Sequence, residues 1–287
     1  MASYINTNLS SMQAQRSLST AQNAMNTSVQ RLSSGLRVNG AKDDAAGLAI
    51  ATGMDKTVRG QSVAMRNAND AISFSQTTEG ALGKISDTMQ RMRELAVQSA
   101  NGTNSADQRT AMDTEFKELQ AEIGRVTKNT EFNGLKVLGD GASQKFQIGS
   151  GTTADNQIEI KGTDLSTTAA TKSETSKLAI DADQTTSAFD ITSVANATAA
   201  IDQIDAALKE VSGQQTIQGA AQNRMSSVIS TLQVSNENQS AARSRIMDTD
   251  FASETANMAR SQILQQASTA MLAQANQLPN GVMKLLG

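Results

Sequence analysis

The sequence predicts a mainly α protein: a long antiparallel coiled-coil or helical-bundle rod with a small β-hairpin region inserted centrally. Three observations carry this reading. Apolar residues recur at alternating steps of three and four along both ends of the chain, the spacing that lines one face of a helix. A single proline, Pro279, stands among 287 residues, so little stops a helix from running long. Between the helical ends, residues 130–161 turn to polar–apolar alternation, the period of a strand.

Composition narrows the function. Hydrophobic residues make up 38% of the chain and aromatic residues 2%, too few large rings to fill a thick globular core. Abundant Ala, Ser, Thr, Asn and Gln suit narrow helical seams and polar outer faces. The chain has no Cys and no His. That removes disulfides, thiol nucleophiles, His–Cys zinc sites and His general bases together. The net charge of −3 gives no bulk attraction to nucleic acid. No stretch approaches the ~20 apolar residues of a membrane span. The first fifteen residues lack a basic n-region and an apolar h-region, so no cleaved secretory signal is expected.

Residues 1–42 carry Ile5, Leu9, Met12, Leu18, Met25, Val29, Leu32 and Leu36. From Met25 the steps are four, three and four, a helical seam. Arg16, Arg31, Arg37 and Lys42 face no acid before Asp43. An acid-free start of this kind also fits a transit peptide, but the pattern runs past forty residues without a break. Eight large apolar side chains cannot offset the entropy of ordering so long a segment. It is therefore expected to be disordered in the lone subunit and helical once packed against partners.

Gly35 and the Asn39–Gly40 pair punctuate the chain before a long helix from Asp43 to Ala100. Its seam is Leu82, Ile85, Met89, Met92, Ala96 and Ser99, continued upstream through Met54, Val58, Gln61, Met65, Ala68 and Ile72. At ~1.5 Å per residue such a helix is on the order of 85 Å long, beyond the needs of a compact domain. Lys42, Asp43 and Asp44 look like a metal or acid–base cluster but read better as a helix start, where acids meet the positive end of the dipole. Asn101–Gly102 closes the helix. Ser105 and Gln108 have capping-box spacing and open the next one, whose seam is Met112, Phe116, Leu119, Ile123 and Val126. The short loop makes the two helices antiparallel neighbours.

Asn133–Gly134 predicts a tight turn. Residues 145–148 and 157–161 read as short strands. Residues 162–193, rich in Thr, Ser, Ala and Asp, read as a variable surface segment. Helical period returns near Ala195 through Ile201, Ile204, Leu208 and Val211 to Met225 and Leu232, with Gly213 as a place where the helix loosens. The last helix starts near Phe251, with Leu264, Ala267, Met271, Ala275 and Leu278 in phase. Pro279 is expected to kink or end it, with Val282 and Leu285 beyond.

Particular runs of residues then point to a family. NTNLSSMQAQRSL, QRLSSGLRVNGAKDDAAGLAIA and RNANDAISFSQTTEGAL near the start, with QNRMSSVISTLQ and SRIMDTDFASETANMARSQILQQASTAMLAQANQLP near the end, resemble bacterial flagellin. The likeness covers about residues 1–138 and 195–287, and the middle does not take part. It implies a flagellin with a reduced central variable region. Residues 1–42 plus 245–287 would form a terminal coiled-coil inner domain, and 43–244 a rod-like helical domain. The subunit would leave the cell by flagellar type III export with a chaperone on its C-terminal segment. It would assemble into an extracellular helical filament of identical subunits for motility, meeting cap and junction proteins at the filament's ends. Polymerisation seams would run through Leu9, Met25, Val29, Leu32, Leu36, Leu264, Met271 and Leu278.

The resemblance further implies recognition by Toll-like receptor 5. Residues 89–98 resemble the receptor-binding stretch of many flagellins, with Arg91 and Leu95 at its key positions and Glu115 as the acidic partner. Met89 and Met92 depart from the usual aliphatic residues, at similar bulk. On physics alone Arg91, Arg93 and Glu94 are a solvated helix face. No enzyme chemistry, cofactor or metal is implied. A hook–filament junction protein, a secreted coiled-coil ligand and a membrane-active amphipathic toxin remain as alternatives.

Overall fold

The computed structural model describes residues 7–139, 143–163, 165 and 190–286, with side chains to residue 277. Most of the variable segment 162–193 therefore lies outside the described residues. Five helices and two hairpins make up the described chain: α1 Leu9–Ser34, α2 Ala45–Ala100, α3 Ala106–Asn129, β1 Glu131–Phe132, β2 Leu135–Lys136, β3 Gln144–Gln147, β4 Gln157–Ile160, α4 Val194–Met247 and α5 Phe251–Leu286. The mainly α architecture with a small central β region is the one the periodicity predicts. The chain divides into two compact units, residues 1–58 with 237–287, and residues 59–236.

In the first unit, α1 and α5 run antiparallel. Asn8 Nδ2 donates to the Ala275 carbonyl at 2.7 Å near one end, and Arg31 stands 3.8 Å from Glu254 near the other. The side chains turned inward are Ser11, Ala14, Leu18, Ala21, Met25, Ser28 and Leu32 on α1, and Glu254, Met258, Ser261, Gln265, Ser268, Leu272 and Ala275 on α5. Both sets keep a strict three–four rhythm, the signature of a coiled-coil seam. Among them only Ala21, Ser28, Glu254, Ser261 and Ala275 are fully buried.

The joint after α1 is built on backbone. Gly35 takes the left-handed conformation (φ 71°) that ends a helix, and its amide donates back to Arg31. Leu36 then pairs antiparallel with Asp248, and the Arg37 amide donates to the Met247 carbonyl at 2.6 Å. Asp43 accepts from the amides of Asn39 and Gly40, while Asp44 accepts from the Gly47 amide at 2.8 Å. The paired acids are thus loop and helix-start caps, not a metal cluster. Asp250 caps α5 in the same way, through the Ala252 amide.

Residues 59–236 pack α2, α3 and α4 around one core. Phe74, Leu82, Ile85, Met89 and Met92 of α2 are buried with Phe116 and Ile123 of α3 and Ile204, Val211 and Met225 of α4. Within this unit α2 and α4 are antiparallel in steady register. Gln61 bonds Ser235, Glu79 bonds Gln222 and Arg93 bonds Asp205. Ser105 and Gln108 form the full capping box at the start of α3. Asn133 and Gly134 both have positive φ, 50° and 78°, as the tight β1–β2 turn requires. The β3–β4 hairpin pairs Phe146 with Ile158, and Phe146 and Phe132 both meet the ring of Phe74 at centroid distances of 5.8 and 5.9 Å.

Helices α4 and α5 both continue through the positions singled out in the sequence, so Pro279 does not end α5. α4 runs unbroken through Gly213, because Ala207, Val211 and Gln218 on its inner face are held in the core. α5 continues past Pro279 to Leu286; the proline removes one backbone donor, and the turns on either side carry the helix through.

Candidate functional site

Two surfaces emerge, one in each unit. In the first unit, the large apolar residues of α1 and α5 mostly point away from the seam that joins these helices. Leu9 is 72% exposed, Met12 51%, Val29 46%, Leu264 51% and Met271 64%. Phe251 and Ile263 are exposed as well. Met25, Leu32 and Leu36 are half-buried, and the side chain of Leu278 lies outside the described residues. The apolar stripe read from Leu264, Ala267 and Met271 is therefore offset by about one position from the stripe that α5 turns toward α1.

The reason lies in side-chain size. Positions Ala21, Ser28, Ser261 and Ala275 let the α1 and α5 backbones approach closely, so small residues take the inner face. Leu18, Met25, Leu32, Met258 and Leu272 fill the inner face only in part, and Leu9, Met12, Val29, Ile263, Leu264 and Met271 are left on the outer one. Leu264 and Met271, with Ala14 and Ser17 of α1, line an open groove of about 460 Å³ along the pair. Its lining is small and apolar residues flanked by Ser and Gln, a surface suited to receiving another helix.

The second surface lies on α2 and α3. Arg91 reaches Glu115 across the two helices, with Nε at 3.0 Å and Nη2 at 2.9 Å from Oε1, and donates to Glu94 Oε2 at 2.9 Å. These hydrogen bonds, to Glu94 and then to Glu115, raise the Arg91 pKa further above its already high value. The guanidinium is half exposed, so it presents a fixed fork to solvent. Arg93 forms a two-pronged pair with Asp205 of α4 at 2.7 and 3.2 Å, and holds that carboxyl below the usual aspartate range. Gln90, Val97 and Gln98 border a shallow depression beside Arg93 and Glu94.

Leu95 does not stand with these groups. It is 3% exposed and packs into the core with Met92 and Ala96. It can hold α2 in place beneath Arg91, but it offers no contact surface of its own. Met89 and Met92 are likewise fully buried. Sequence reasoning found the Arg91–Glu115 pair but missed Asp205, 112 residues from its partner in the chain. The outward placement of Met12 and Ile263 is not legible in the sequence, because these helices carry two apolar phases rather than one.

Among the described residues there is no group of three His, Cys, Asp or Glu side chains that could hold a metal ion. No described helix is long and apolar enough to cross a membrane.

Comparison with known proteins places this architecture. The family described as bacterial flagellin N-terminal helical region matches residues 5–143, and bacterial flagellin C-terminal helical region matches residues 201–286. The chain is 43% identical over 283 residues to a flagellin of Halalkalibacterium halodurans, covering 98% of this chain and 99% of that protein. It is 38% identical to Flagellin A of Vibrio cholerae in an alignment of 374 positions, covering 98% and 99% of the two chains. That alignment is longer than the present chain, so the relative carries additional sequence. In fold, the chain is similar to a putative flagellar hook-associated protein from Vibrio parahaemolyticus, with a TM-score of 0.58 at 13% identity, covering 72% of this chain and all of that one. With both terminal helical regions matched and identity sustained over nearly its full length, this chain belongs to the bacterial flagellin family.

Proposed function

We propose that the outward apolar faces of α1 and α5 are the surfaces through which neighbouring subunits join, and that joining completes the folding of these helices. As a flagellin the chain is a structural subunit of the extracellular bacterial flagellar filament, a homo-oligomer, and not an enzyme. The observation that carries the proposal is the distribution of side chains on the helix pair. Inside one subunit, α1 and α5 fully bury only small or polar residues such as Ala21, Ser28 and Ser261. Leu9, Val29, Leu264 and Met271 keep much of their apolar surface in water. Burying a whole side chain of that kind stabilises by about 1.5–3 kcal/mol, and roughly half or more of that gain is still to be realised when the subunit stands alone. A helical filament needs two different, complementary surfaces on each subunit that do not close on themselves, and α1 and α5 offer unlike sequences for the two roles.

The proposed polymerisation seams are then Leu9, Val29, Leu264 and Met271 on the outer faces, with Leu278 further along α5, whereas Met25 and Leu32 turn toward α5 within the subunit and Leu36 pairs with Asp248. The same exposed stripe on α5 is a natural seat for an export chaperone before assembly, and the filament-end surface for cap and junction proteins. Seeded polymerisation tests the reading. Subunits lacking residues 1–35 are expected to add nothing to sheared filament fragments, measured by sedimentation and electron microscopy. Growth of filaments from that truncated subunit would refute it.

A second reading rests on the α2–α3 surface. The Arg91–Glu115–Glu94 cluster is a fixed, half-exposed charged fork, the kind of group that gives a protein partner orientation and specificity. We propose that it contributes to recognition by Toll-like receptor 5, with buried Leu95 supporting the helix beneath. Arg91→Ala is expected to abolish receptor signalling in reporter cells while seeded polymerisation stays intact. Unchanged signalling would remove this role.

A further inference from the structure

Methionine is distributed unevenly over the molecule. Met89, Met92 and Met225 are fully buried in the core of residues 59–236. Met25, Met54, Met65, Met112, Met247 and Met258 are half-buried. Met12 and Met271 are the two exposed methionines among the described residues. They also lie at the same end of the α1–α5 pair. Ser11 Oγ donates to Asn276 Oδ1 at 2.8 Å and Asn8 Nδ2 to the Ala275 carbonyl at 2.7 Å. That register sets Met12, next to Ser11, level with the helical turn that carries Met271. Met271 also lines the groove along the pair.

We propose that Met12 and Met271 are oxidation sites through which peroxides control the subunit's competence to assemble, an inference that rests on the outer α1–α5 faces being the assembly surface. The step balances with hydrogen peroxide as the oxidant. The thioether sulfur takes one oxygen atom as an S–O bond forms and the peroxide O–O bond breaks. Sulfur is oxidised by two electrons, and the peroxide leaves as water after its proton shifts to the departing oxygen. The product sulfoxide is polar and chiral. On a face that must be buried against a neighbour, it replaces a packed apolar sulfur with a strongly hydrated S–O group whose loss of water opposes burial. A subunit oxidised before assembly is thereby excluded from the filament. Subunits already incorporated have the two sulfurs covered and protected. The core methionines play no part, because peroxide does not reach them in the folded unit.

The test exposes full-length monomer and intact filaments in parallel to hydrogen peroxide and measures oxygen gain per methionine by peptide mass spectrometry. Treated monomer is then offered to filament seeds. In monomer, Met12 and Met271 are expected to oxidise several-fold faster than Met89, Met92 and Met225. The treated protein loses seeded growth, and methionine sulfoxide reductases of both epimer specificities restore it. The Met12→Leu, Met271→Leu double variant keeps similar side-chain volume and is expected to grow normally before and after the same treatment. Equal rates at exposed and core methionines would overturn the inference, as would equal loss of growth by the double variant. If filaments protect both residues yet oxidised monomer still grows at the full rate, only the redox control falls. If both residues oxidise as fast in filaments as in monomer, the assembly surface itself is misplaced and the control falls with it.

Discussion

Leu264→Asp separates folding from assembly. In the single subunit Leu264 is 51% exposed, so about half of its apolar surface is already in water. Replacing it costs the lone subunit less than about 1 kcal/mol of packing and touches nothing in the core of residues 59–236. In the filament the same position is to be covered by a neighbour. There the variant forfeits the burial of the remaining half, about 1 kcal/mol. It also forces a carboxylate out of water without a partner, which adds several kcal/mol. A total of about 4 kcal/mol per contact, at 1.4 kcal/mol per tenfold, raises the critical concentration for growth about a thousandfold. The assay is seeded polymerisation over a range of subunit concentrations, with pelleted protein as the readout and circular dichroism of the monomer as the folding control. Leu264→Asn keeps the lost burial but removes the charge, and is expected to fall between wild type and Asp. Thr186→Asp, in the stretch between the two matched family regions and outside the described residues, is expected to leave growth unchanged. Equal shifts for Leu264→Asp and Thr186→Asp would refute the assignment of this face.

Other perturbations probe the unit that holds the second surface. Asp113 is buried, accepts from the Ile191 amide at 2.9 Å and pairs with Lys117 at 2.6 Å. Asp113→Ala leaves that buried amide without an acceptor and should cost about 2–3 kcal/mol in thermal or urea unfolding. Asp113→Asn keeps an acceptor and should cost less, so equal losses would show that the amide bond is not what matters. An added Cβ at Gly60 would meet the Ser150 Cβ at 2.5 Å. Gly60→Val is therefore expected to lift the β3–β4 loop from α2 and cost about 1–3 kcal/mol, seen as faster amide exchange in residues 144–160; unchanged exchange would mean the loop does not dock there. Asp205 and Asp190 are held below the usual aspartate range, by Arg93 and chiefly by Asn196 and Thr192 respectively. The unfolded chain takes up their protons at higher pH than the folded one, so this stabilisation is present at neutral pH and disappears as pH falls through the lowered values. Arg93→Gln should shrink the stability difference between neutral and acid solution, and an identical pH profile would show that the pair contributes nothing.

The parts of the fold legible in the sequence were those carried by local rules. Leu82, Ile85, Met89, Met92, Ala96 and Ser99 are all buried, because α2 is long and keeps one phase toward a thick core. The Ser105 capping box and the Asn133–Gly134 turn depend only on neighbours in sequence, and both formed. The α1–α5 seam was harder. Large apolar residues usually mark the inside, but here the narrow seam admits Ala21, Ser28 and Ser261 and turns Leu9 and Leu264 outward. Met25 and Leu32 belong to the inner stripe, and Val29, between them, belongs to the outer. A helix with two apolar stripes has no single phase to find. Leu95 shows the converse. Its place in a stretch resembling a receptor site suggested exposure, yet it lies three residues from Met92 and next to Ala96, on the buried face. The ion pair of Arg93 with Asp205 was beyond reach, because it depends on how α2 and α4 meet.

The two units solve the burial problem in opposite ways, and this gives the chain its logic. Residues 59–236 hold Phe74, Phe116, Ile123 and Val211 in a closed core, and so can be stable alone. The α1–α5 pair fully buries only small or polar residues, with Glu254 buried beside Arg31, and leaves Leu9, Val29, Leu264 and Met271 largely exposed. Exposed apolar stripes of that kind are an aggregation hazard for a free protein. They make sense only if free subunits are brief, or covered, and if the covering partner is fixed in advance. A second copy of the same chain meets that condition, because each copy brings both stripes. On the proposed assembly surface, the α1–α5 pair gains its remaining apolar burial only at a filament end, where the outer faces are met. If that burial drives assembly as proposed, growth is favoured at filament ends over contacts that meet only one of the two faces.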